Sequence, residues 1–148
     1  MNAKNYIKME FPSRSANEGF ARGAVACFVA QLDPTLEEVG DIKTAVSEAV
    51  TNCIVHAYPD TIGKISLRAQ FSEDGTLEVM VRDYGLGIED IERAREPLFT
   101  TGGEERSGMG FTIMESFMDK LRVRSKPGKG TTVTMVRHIA PRGHGARR

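Results

Sequence analysis

The sequence lacks the features that mark several specialised classes of protein. Its 20 basic and 20 acidic side chains give a formal net charge of zero, so no bulk charge indicates a nucleic-acid or membrane partner. No apolar run approaches the length of a membrane span, and the first residues contain no signal-peptide core. With 40% hydrophobic and 27% charged residues, the composition is that of an ordinary globular protein, which we expect to be cytoplasmic.

Cysteine is scarce as well. Only Cys27 and Cys53 are present, and both lie within apolar patterns of helical spacing. This usage is typical of a cytosolic protein with reduced thiols, so we expect both side chains to be buried and no disulfide framework to form.

The chain also lacks internal repeats and any linker that would separate a second domain. At 148 residues it is long enough for one domain with its own core. We therefore predict a single domain over residues 1–139. The remaining residues, 140–148, carry three arginines and no acid, and we expect them to form a basic, flexible tail.

The hydrophobic pattern predicts an α+β fold with eight elements. Apolar alternation indicates the strands, and apolar residues three or four apart indicate the helices. In chain order we predict a strand at 6–11, helices at about 15–32 and 35–58, strands at 63–71 and 77–82, a helix at about 108–118, and strands at 121–125 and 131–138. This order favours a mixed, mainly antiparallel sheet with the helices on one face.

The first two predicted helices begin at residues with capping-box spacing. Ser15 is followed three residues later by Glu18, and Thr35 by Glu38. In such a box each side chain binds the other residue's backbone amide, so both pairs predict a helix start.

Residues 84–107 are the exception to this regular pattern. They contain several glycines and few periodic apolar residues, so they are predicted to be mostly loop, with a short helix around 88–95. Compact domains rarely leave more than twenty residues irregular, and such a segment is usually a lid or a binding loop.

A carboxylate and an amide lie one turn apart on the second predicted helix. Glu48 and Asn52 are four residues apart, which places their Cβ atoms about 5–6 Å from each other, and His56 continues the row. They border an apolar stripe that we expect to be buried. The stripe consists of Ile42, Ala45, Val46, Ala49, Val50 and Cys53. An isolated pair of this kind most often forms a solvated helix face; the alternative is a general base beside an oxygen ligand for Mg²⁺.

Two glycine-rich turns are the other concentrations of functional chemistry. The segment 83–87, Asp-Tyr-Gly-Leu-Gly, follows a predicted strand, and the segment 106–110, Arg-Ser-Gly-Met-Gly, opens a predicted helix. The first alone is most simply a turn that leaves the sheet. Glycines at a helix N-terminus expose amides that favour anions, although close helix–strand packing explains them equally well. Neither turn, nor Gly-Lys-Gly-Thr at 128–131, completes a protein-kinase, P-loop or Rossmann motif.

Taken together in this order, the motifs resemble the GHKL superfamily of ATP-binding domains, found in gyrase, Hsp90, MutL and histidine kinases. Glu48 and Asn52 match its N box, the segments 83–87 and 108–110 match its two glycine boxes, and Thr131 matches the threonine of its adenine pocket. The resemblance implies a GHKL (Bergerat-type) two-layer sandwich with an ATP lid.

Four longer runs narrow this resemblance to one family. Residues 32–35, 47–52, 96–101 and 105–115 are similar to the anti-sigma F factor family of endospore-forming bacteria. The lid differs slightly, because the segment 101–104 is one residue shorter than the family pattern. This difference bears on the movement of the lid and leaves the chemistry unchanged.

The resemblance implies ATP and Mg²⁺ as cofactors and assigns roles residue by residue. Glu48 and Arg106 would be the catalytic residues, Asn52 would bind the metal, and Arg22 would bind a protein partner. The nucleotide-binding residues that it implies are Asn52, His56, Asp83, Gly85, Gly87, Thr100, Thr101, Ser107, Gly108, Gly110 and Thr131.

The function that the resemblance implies is that of a serine-protein kinase. Such a kinase phosphorylates an anti-anti-sigma protein and, when ATP-bound, sequesters a sporulation sigma factor, sigma F; family members are homodimers, and we expect no direct nucleic-acid or membrane contact. The alternatives are a stress-response anti-sigma kinase of the same fold and a GHKL ATPase in which Glu48 activates water. A detached histidine-kinase domain is disfavoured by the lack of a phospho-accepting histidine context, and a pure binding module by the presence of a base.

Overall fold

The computed structural model describes residues 2–95 and 110–140, and the elements follow the predicted order. The strands are β1 (Asn5–Pro12), β2 (Lys64–Phe71), β3 (Thr76–Asp83), β4 (Lys120–Lys126) and β5 (Gly130–His138). The helices are α1 (Ala16–Val29), α2 (Leu36–Asn52), α3 (Ile91–Ala94) and α4 (Gly110–Phe117). A 3-10 turn (Ala30–Leu32) follows α1, and a π-helical turn (Cys53–Ala57) continues α2.

The five strands form one sheet in the order β1-β2-β3-β5-β4. Each of its four pairings is antiparallel, so the mixed sheet that the sequence suggested is an entirely antiparallel one in the described part of the chain. The reason is that β1, β3 and β4 run in one direction and pair only with β2 and β5. Alternate residues of β2 and β3 are buried, as in Ile65, Leu67 and Ala69 of β2, which confirms one covered and one open face.

The covered face packs against α1, α2 and α4, with α2 between the other two helices. The apolar stripe predicted for this helix is confirmed, because each residue of the stripe is buried in the core. These residues are Ile42, Ala45, Val46, Ala49, Val50 and Cys53. An ion pair between Arg137 of β5 and Asp41 of α2, 3.0 Å long, joins the sheet to this central helix. The site residues of α2 are therefore carried on a helix that is held from three sides.

Only one of the two predicted capping boxes is present. Thr35 and Glu38 form a complete box at the start of α2, with both reciprocal hydrogen bonds. Ser15 instead has a helical backbone and makes no side-chain cap, so the predicted capping box is wrong there, although α1 does begin directly after Ser15 as predicted. The physical reason is that the Glu18 carboxylate binds Arg22 and the hydroxyl of Ser47 on α2 rather than the backbone at Ser15.

The cysteines divide between surface and core. Cys53 is buried as predicted, whereas Cys27 is exposed because it lies on the side of α1 that faces away from α2 and the sheet. Both are free thiols. Within residues 2–95 and 110–140, no helix is long and apolar enough to cross a membrane.

The predicted loop after β3 contains the short helix α3 within the range expected for it. The Asp90 carboxylate caps that helix by accepting from Arg93 N–H at 3.1 Å. The later part of the predicted loop, 96–107, the first residues of the next predicted helix, 108–109, and the predicted tail beyond residue 140 lie outside the described residues.

Candidate functional site

The end of α2 and the start of α4 bring a carboxylate, an amide and a glycine together. Glu48 and Asn52 are half-buried on neighbouring turns of α2. A Cβ atom placed on Gly110 would lie 3.0 Å from Asn52 Oδ1 and 3.4 Å from Glu48 Oε1. Gly110 therefore lets the backbone of α4 approach both polar groups more closely than a larger residue would.

The π-helical turn carries this site toward the sheet. It contains His56, which is half-buried, and ends at Ala57. The carbonyl oxygen of Ala57 accepts the amide of Leu86 at 3.2 Å, and a Cβ on Gly85 would lie only 2.3 Å from that oxygen. The segment 83–87 is thus fastened to the end of α2, which joins two motifs that are thirty residues apart in sequence.

Asp83 is the buried acid at the end of β3, with only 4% of its surface exposed. Its Oδ1 atom accepts the backbone amides of Gly85 at 3.0 Å and Thr131 at 3.1 Å. The thiol of Cys53 also hydrogen-bonds to this carboxylate. Burial raises the pKa of Asp83 above the ordinary 3.8, while the amide and thiol donors oppose that rise.

Cys53 is chemically quiet as a result of the same arrangement. Burial, and then the negative charge and hydrogen bond of Asp83, raise the pKa of its thiol well above 9.0. Because the thiolate is the reactive form of cysteine, Cys53 serves as a hydrogen-bond donor to Asp83 and not as a nucleophile.

Thr131 lies beside Asp83 at the start of β5 and is 7% exposed. Its hydroxyl is 2.8 Å from that of Ser125 on β4, which in turn accepts the amide of Ile88 at 2.7 Å. Gly87 has a positive φ of 79°, and a Cβ there would meet the carbonyl of Lys126 at 2.1 Å. The turn after β3 therefore packs directly against the β4–β5 hairpin.

Two residues that the sequence analysis did not select help to shape the site. The hydroxyl of Tyr58 accepts the amide of Tyr84 at 2.6 Å and donates to the carbonyl of Lys64 at 2.7 Å, so it fixes the start of the segment 83–87. Ser125 holds the other end through Ile88. Tyr58 could have been noted as the last apolar residue of the long helical pattern, whereas nothing in the sequence around Ser125 distinguishes it.

Arg22 lies apart from this cluster, on α1. Its side chain is exposed and pairs with Glu18 at 3.0 Å, with Ser47 at 3.4 Å from the same guanidinium nitrogen. The contact with Ser47 places Arg22 where α1 packs against α2.

The described residues therefore bring together Glu48, Asn52, Asp83, Gly85, Gly87, Gly110 and Thr131. His56 lies on the π-helical turn that follows Asn52. The other predicted site residues, Thr100, Thr101, Arg106, Ser107 and Gly108, lie outside the described ranges. In those ranges no group of three or more His, Cys, Asp or Glu side chains could hold a metal ion. A cavity of about 680 Å³ on the other side of Tyr58, lined by residues such as Ser13, Arg14 and Thr61, contains none of the predicted site residues.

The arrangement offers two chemically different ends. At one end a buried carboxylate and a threonine hydroxyl provide hydrogen-bonding groups for a flat polar edge, such as that of a nucleobase. At the other end a carboxylate can accept a hydroxyl proton, an amide oxygen can bind a hard cation, and the start of a helix favours an anion.

Comparisons with known proteins agree with this geometry. Residues 11–137 match the model of the family described as histidine kinase-like ATPase domain. The chain is 59% identical over 140 residues to the anti-sigma F factor of Caldanaerobacter subterraneus subsp. tengcongensis, which covers 94% of this chain and 97% of that protein. It is 56% identical over 138 residues to the anti-sigma F factor of Geobacillus kaustophilus, covering 93% and 94% of the two chains.

Solved structures show the same fold. A structure of the RsbU and RsbW domains of a Mycobacterium tuberculosis protein superimposes with a TM-score of 0.66 at 19% identity, covering 93% of this chain and 34% of that one. The blue-light activated histidine kinase of Erythrobacter litoralis superimposes with a TM-score of 0.60 at 26% identity, covering 82% and 42% of the two chains.

Proposed function

The chain belongs to the anti-sigma F factor family, within the histidine kinase-like ATPase domains, and from this membership we propose that it is an ATP-dependent serine-protein kinase. It transfers the γ-phosphoryl group of ATP to a serine of an anti-anti-sigma protein and, when ATP-bound, sequesters a sporulation sigma factor in the cytoplasm. The observation that carries the proposal is the approach of Gly110 to Glu48 and Asn52, which brings a carboxylate and an amide to a helix N-terminus.

The adenine end of the proposed site is formed by Asp83 and Thr131. The backbone amides of Gly85 and Thr131 both donate to Oδ1 of Asp83. We assign the Oδ2 atom of Asp83 to the exocyclic amino group of the base. Gly85 and Gly87 keep the turn after β3 free of side chains where the base approaches. Thr131 binds the same edge of the base, directly or through water.

The phosphate end is formed by Asn52 with the beginning of α4. Asn52 offers one hard oxygen ligand, which suits Mg²⁺ because that ion usually keeps several waters and takes its other ligands from phosphate oxygens. When bound, the ion would neutralise charge on the phosphates. We assign His56, Thr100, Thr101, Ser107, Gly108 and Gly110 to the same nucleotide, and Arg106 to the charge that develops during transfer.

The transfer step needs one proton acceptor, which we assign to Glu48. The serine oxygen of the partner forms a bond to the γ-phosphorus while the bond from that phosphorus to the bridging oxygen of ATP breaks. The serine proton passes to the Glu48 carboxylate, and ADP leaves with the electron pair of the broken bond. Phosphoryl transfer depends mostly on positioning and charge stabilisation, so Arg106 and the amides at 107–110 contribute alongside the base.

The proposal is tested by incubating the protein with Mg-ATP and candidate anti-anti-sigma proteins. Mass spectrometry should locate phosphoserine on the partner, with one ADP formed for each phosphoserine. Free phosphate formed in the absence of any partner, without phosphoserine when the partner is added, would instead identify an ATPase in which Glu48 activates water.

We also propose that α1 forms part of the partner-binding face of a homodimeric protein. Arg22 is exposed there, and Phe20 on the same helix is 65% exposed. The two residues are two positions apart on α1 and so point to different sides of the helix. Arginine and aromatic residues are the types that most often dominate binding energy at protein interfaces.

Replacing Arg22 by glutamate is expected to weaken sigma-factor binding at least about tenfold, because the charge is reversed at the interface. The fold should persist, since an exposed ion pair such as Arg22–Glu18 contributes only about 0–1 kcal/mol to stability. Binding of labelled sigma factor should be measured with ATP present, together with the affinity for ATP, which should not change. Lys120→Glu, an exposed charge reversal on β4, is the matched control. Equal sigma-factor binding by both variants and the wild type would remove Arg22 from the interface.

A further inference from the structure

Ser125 joins three separate parts of the proposed adenine pocket. Its Oγ atom accepts the amide of Ile88 at 2.7 Å, lies 3.0 Å from the carbonyl oxygen of Gly130, and lies 2.8 Å from Thr131 Oγ1. Ile88 follows the segment 83–87, whereas Gly130 and Thr131 begin β5. One half-buried hydroxyl on β4 therefore contacts both walls of the pocket.

The number of protons fixes the direction of these bonds. A serine hydroxyl has one proton and two lone pairs, an amide N–H can only donate, and a carbonyl oxygen can only accept. If Ser125 gives its proton to Gly130 and one lone pair to Ile88, its second lone pair is left for Thr131. The hydroxyl of Thr131 is then the donor in the 2.8 Å contact. All three contacts are satisfied together only in this arrangement.

We infer that Ser125 is a specificity-determining positioning residue, which fixes Thr131 as a hydrogen-bond acceptor toward the nucleotide base; the inference rests on the proposed function. With its proton directed at Ser125, Thr131 turns lone pairs toward the pocket. The neighbouring Asp83 carboxylate is also an acceptor, and it is held to the same strand by the amide of Thr131 at 3.1 Å. The polar edge of the pocket thus consists of two acceptors.

Two acceptors match the amino group that adenine carries at position 6, either directly or through a bridging water. At that position they do not match hypoxanthine or guanine, which carry an acceptor oxygen there and have their nearest donor on the neighbouring N1. Without the Ser125 hydroxyl, the O–H bond of Thr131 has no partner at residue 125 and can rotate toward the base, where it would donate to such an oxygen. The loss of Ser125 should therefore change the choice of base more than it changes the binding of the triphosphate.

The test compares ATP with inosine triphosphate, which differ only at this edge of the base. The dissociation constants of both nucleotides should be measured for the wild type, Ser125→Ala and Ser125→Thr, with Ser116→Ala on α4 as the matched loss of a hydroxyl outside the site. We expect the preference of the wild type for ATP to fall about tenfold in Ser125→Ala, and to be kept in Ser125→Thr and Ser116→Ala.

A double-mutant cycle tests whether Ser125 acts on the nucleotide through Thr131. Thr131→Val should lower the preference for ATP as Ser125→Ala does, and the double variant should lower it no further. If Ser125→Ala does not fold, Ser125→Cys replaces it, because a thiol is a weak acceptor and should also lower the preference.

The outcomes separate this inference from the proposed function. A preference for ATP that persists in Ser125→Ala or Ser125→Cys, or an equal loss of both nucleotides, would show that Ser125 only supports the fold and would overturn the inference alone. A wild-type protein that binds neither nucleotide would overturn the proposed function, and the inference with it.

Discussion

Replacing Glu48 by glutamine is expected to lower the rate of phosphoserine formation by about 10³-fold, within the range that general base catalysis usually contributes. Glutamine has the same shape and can still accept a hydrogen bond, but it cannot take up the serine proton. Glu48 lies beside the start of α4, where the transferred phosphoryl group would bind, since a Cβ on Gly110 would be 3.4 Å from Glu48 Oε1. ATP should bind about as well as before, because the proposed adenine and metal contacts are made by other residues.

Single-turnover transfer from Mg-ATP to the anti-anti-sigma protein separates this effect from binding. The matched control is Glu37→Gln, which makes the same chemical change at an exposed position in the first turn of α2. A transfer rate for Glu48→Gln equal to that of the control would remove Glu48 from the role of base, even if the kinase activity itself were established.

Replacing Asp83 by asparagine is expected to weaken ATP binding by about 10²-fold or more, as a site built around a polar contact rejects a mismatched partner strongly. An asparagine oxygen can replace Oδ1 and keep the amides of Gly85 and Thr131, which bind that atom at 3.0 and 3.1 Å. The asparagine nitrogen would then occupy the place of Oδ2. There it would present a donor to the adenine amino group, which is itself a donor.

The folding stability of the same variant should move in the opposite direction. Burial raises the pKa of Asp83 above 3.8, so the folded protein favours the protonated, uncharged acid. This contribution to stability is full below the ordinary pKa and is lost as the pH rises through the raised one. At neutral pH, Asp83→Asn removes the cost of a buried charge, so the nucleotide-free variant should be at least as stable as the wild type.

Two measurements test the role assigned to Asp83 in binding the base. Calorimetric titration with ATP gives the loss of affinity, and thermal unfolding without nucleotide gives the change in stability, with Asp60→Asn in the exposed turn before β2 as the control. Acidification should also weaken ATP binding to the wild type as Asp83 takes up its proton, at a pH above its ordinary titration range. A variant that binds ATP normally, or that loses ATP only because it unfolds, would contradict the assignment.

Much of the fold could be predicted from local sequence patterns, whereas the prediction that failed at Ser15 depends on contacts between separate parts of the fold. Period-two alternation in β2 predicted a strand with one covered face, and Thr35 with Glu38 predicted the start of α2, because such patterns depend on near neighbours. The capping box at Ser15 is absent because its backbone is helical and because the Glu18 carboxylate binds other partners, one of them on another helix. Such competition between a local and a distant partner cannot be read from the spacing of residues.

The candidate site likewise contains residues that could be predicted from the sequence and others that could not. Glu48 and Asn52 could be selected because four residues bring two side chains together on a helix, and Asp83 because it closes a strand before two glycines. Ser125 could not be selected, since it meets Thr131 only through the β4–β5 register and Ile88 only through the fold of an intervening loop. Cys53 was predicted as a core residue, but its hydrogen bond to Asp83 requires α2 and β3 to be in place.

The π-helical turn after Asn52 affects where the length of this chain can vary. A π turn holds one residue more than an α turn, and here the amide of Tyr58 binds the carbonyl of Cys53, five residues back. Deleting one residue of this turn would let the helix return to α geometry, and the residues that follow would keep nearly the same orientation, because the wider turn covers about the same angle with its extra residue. The carbonyl that precedes Tyr58 would then still face Leu86, and the segment 83–87 would keep its attachment to α2. A deletion of one residue is therefore expected to be tolerated better at this turn than within the regular part of α2, where it would rotate the following residues by about 100° around the helix axis.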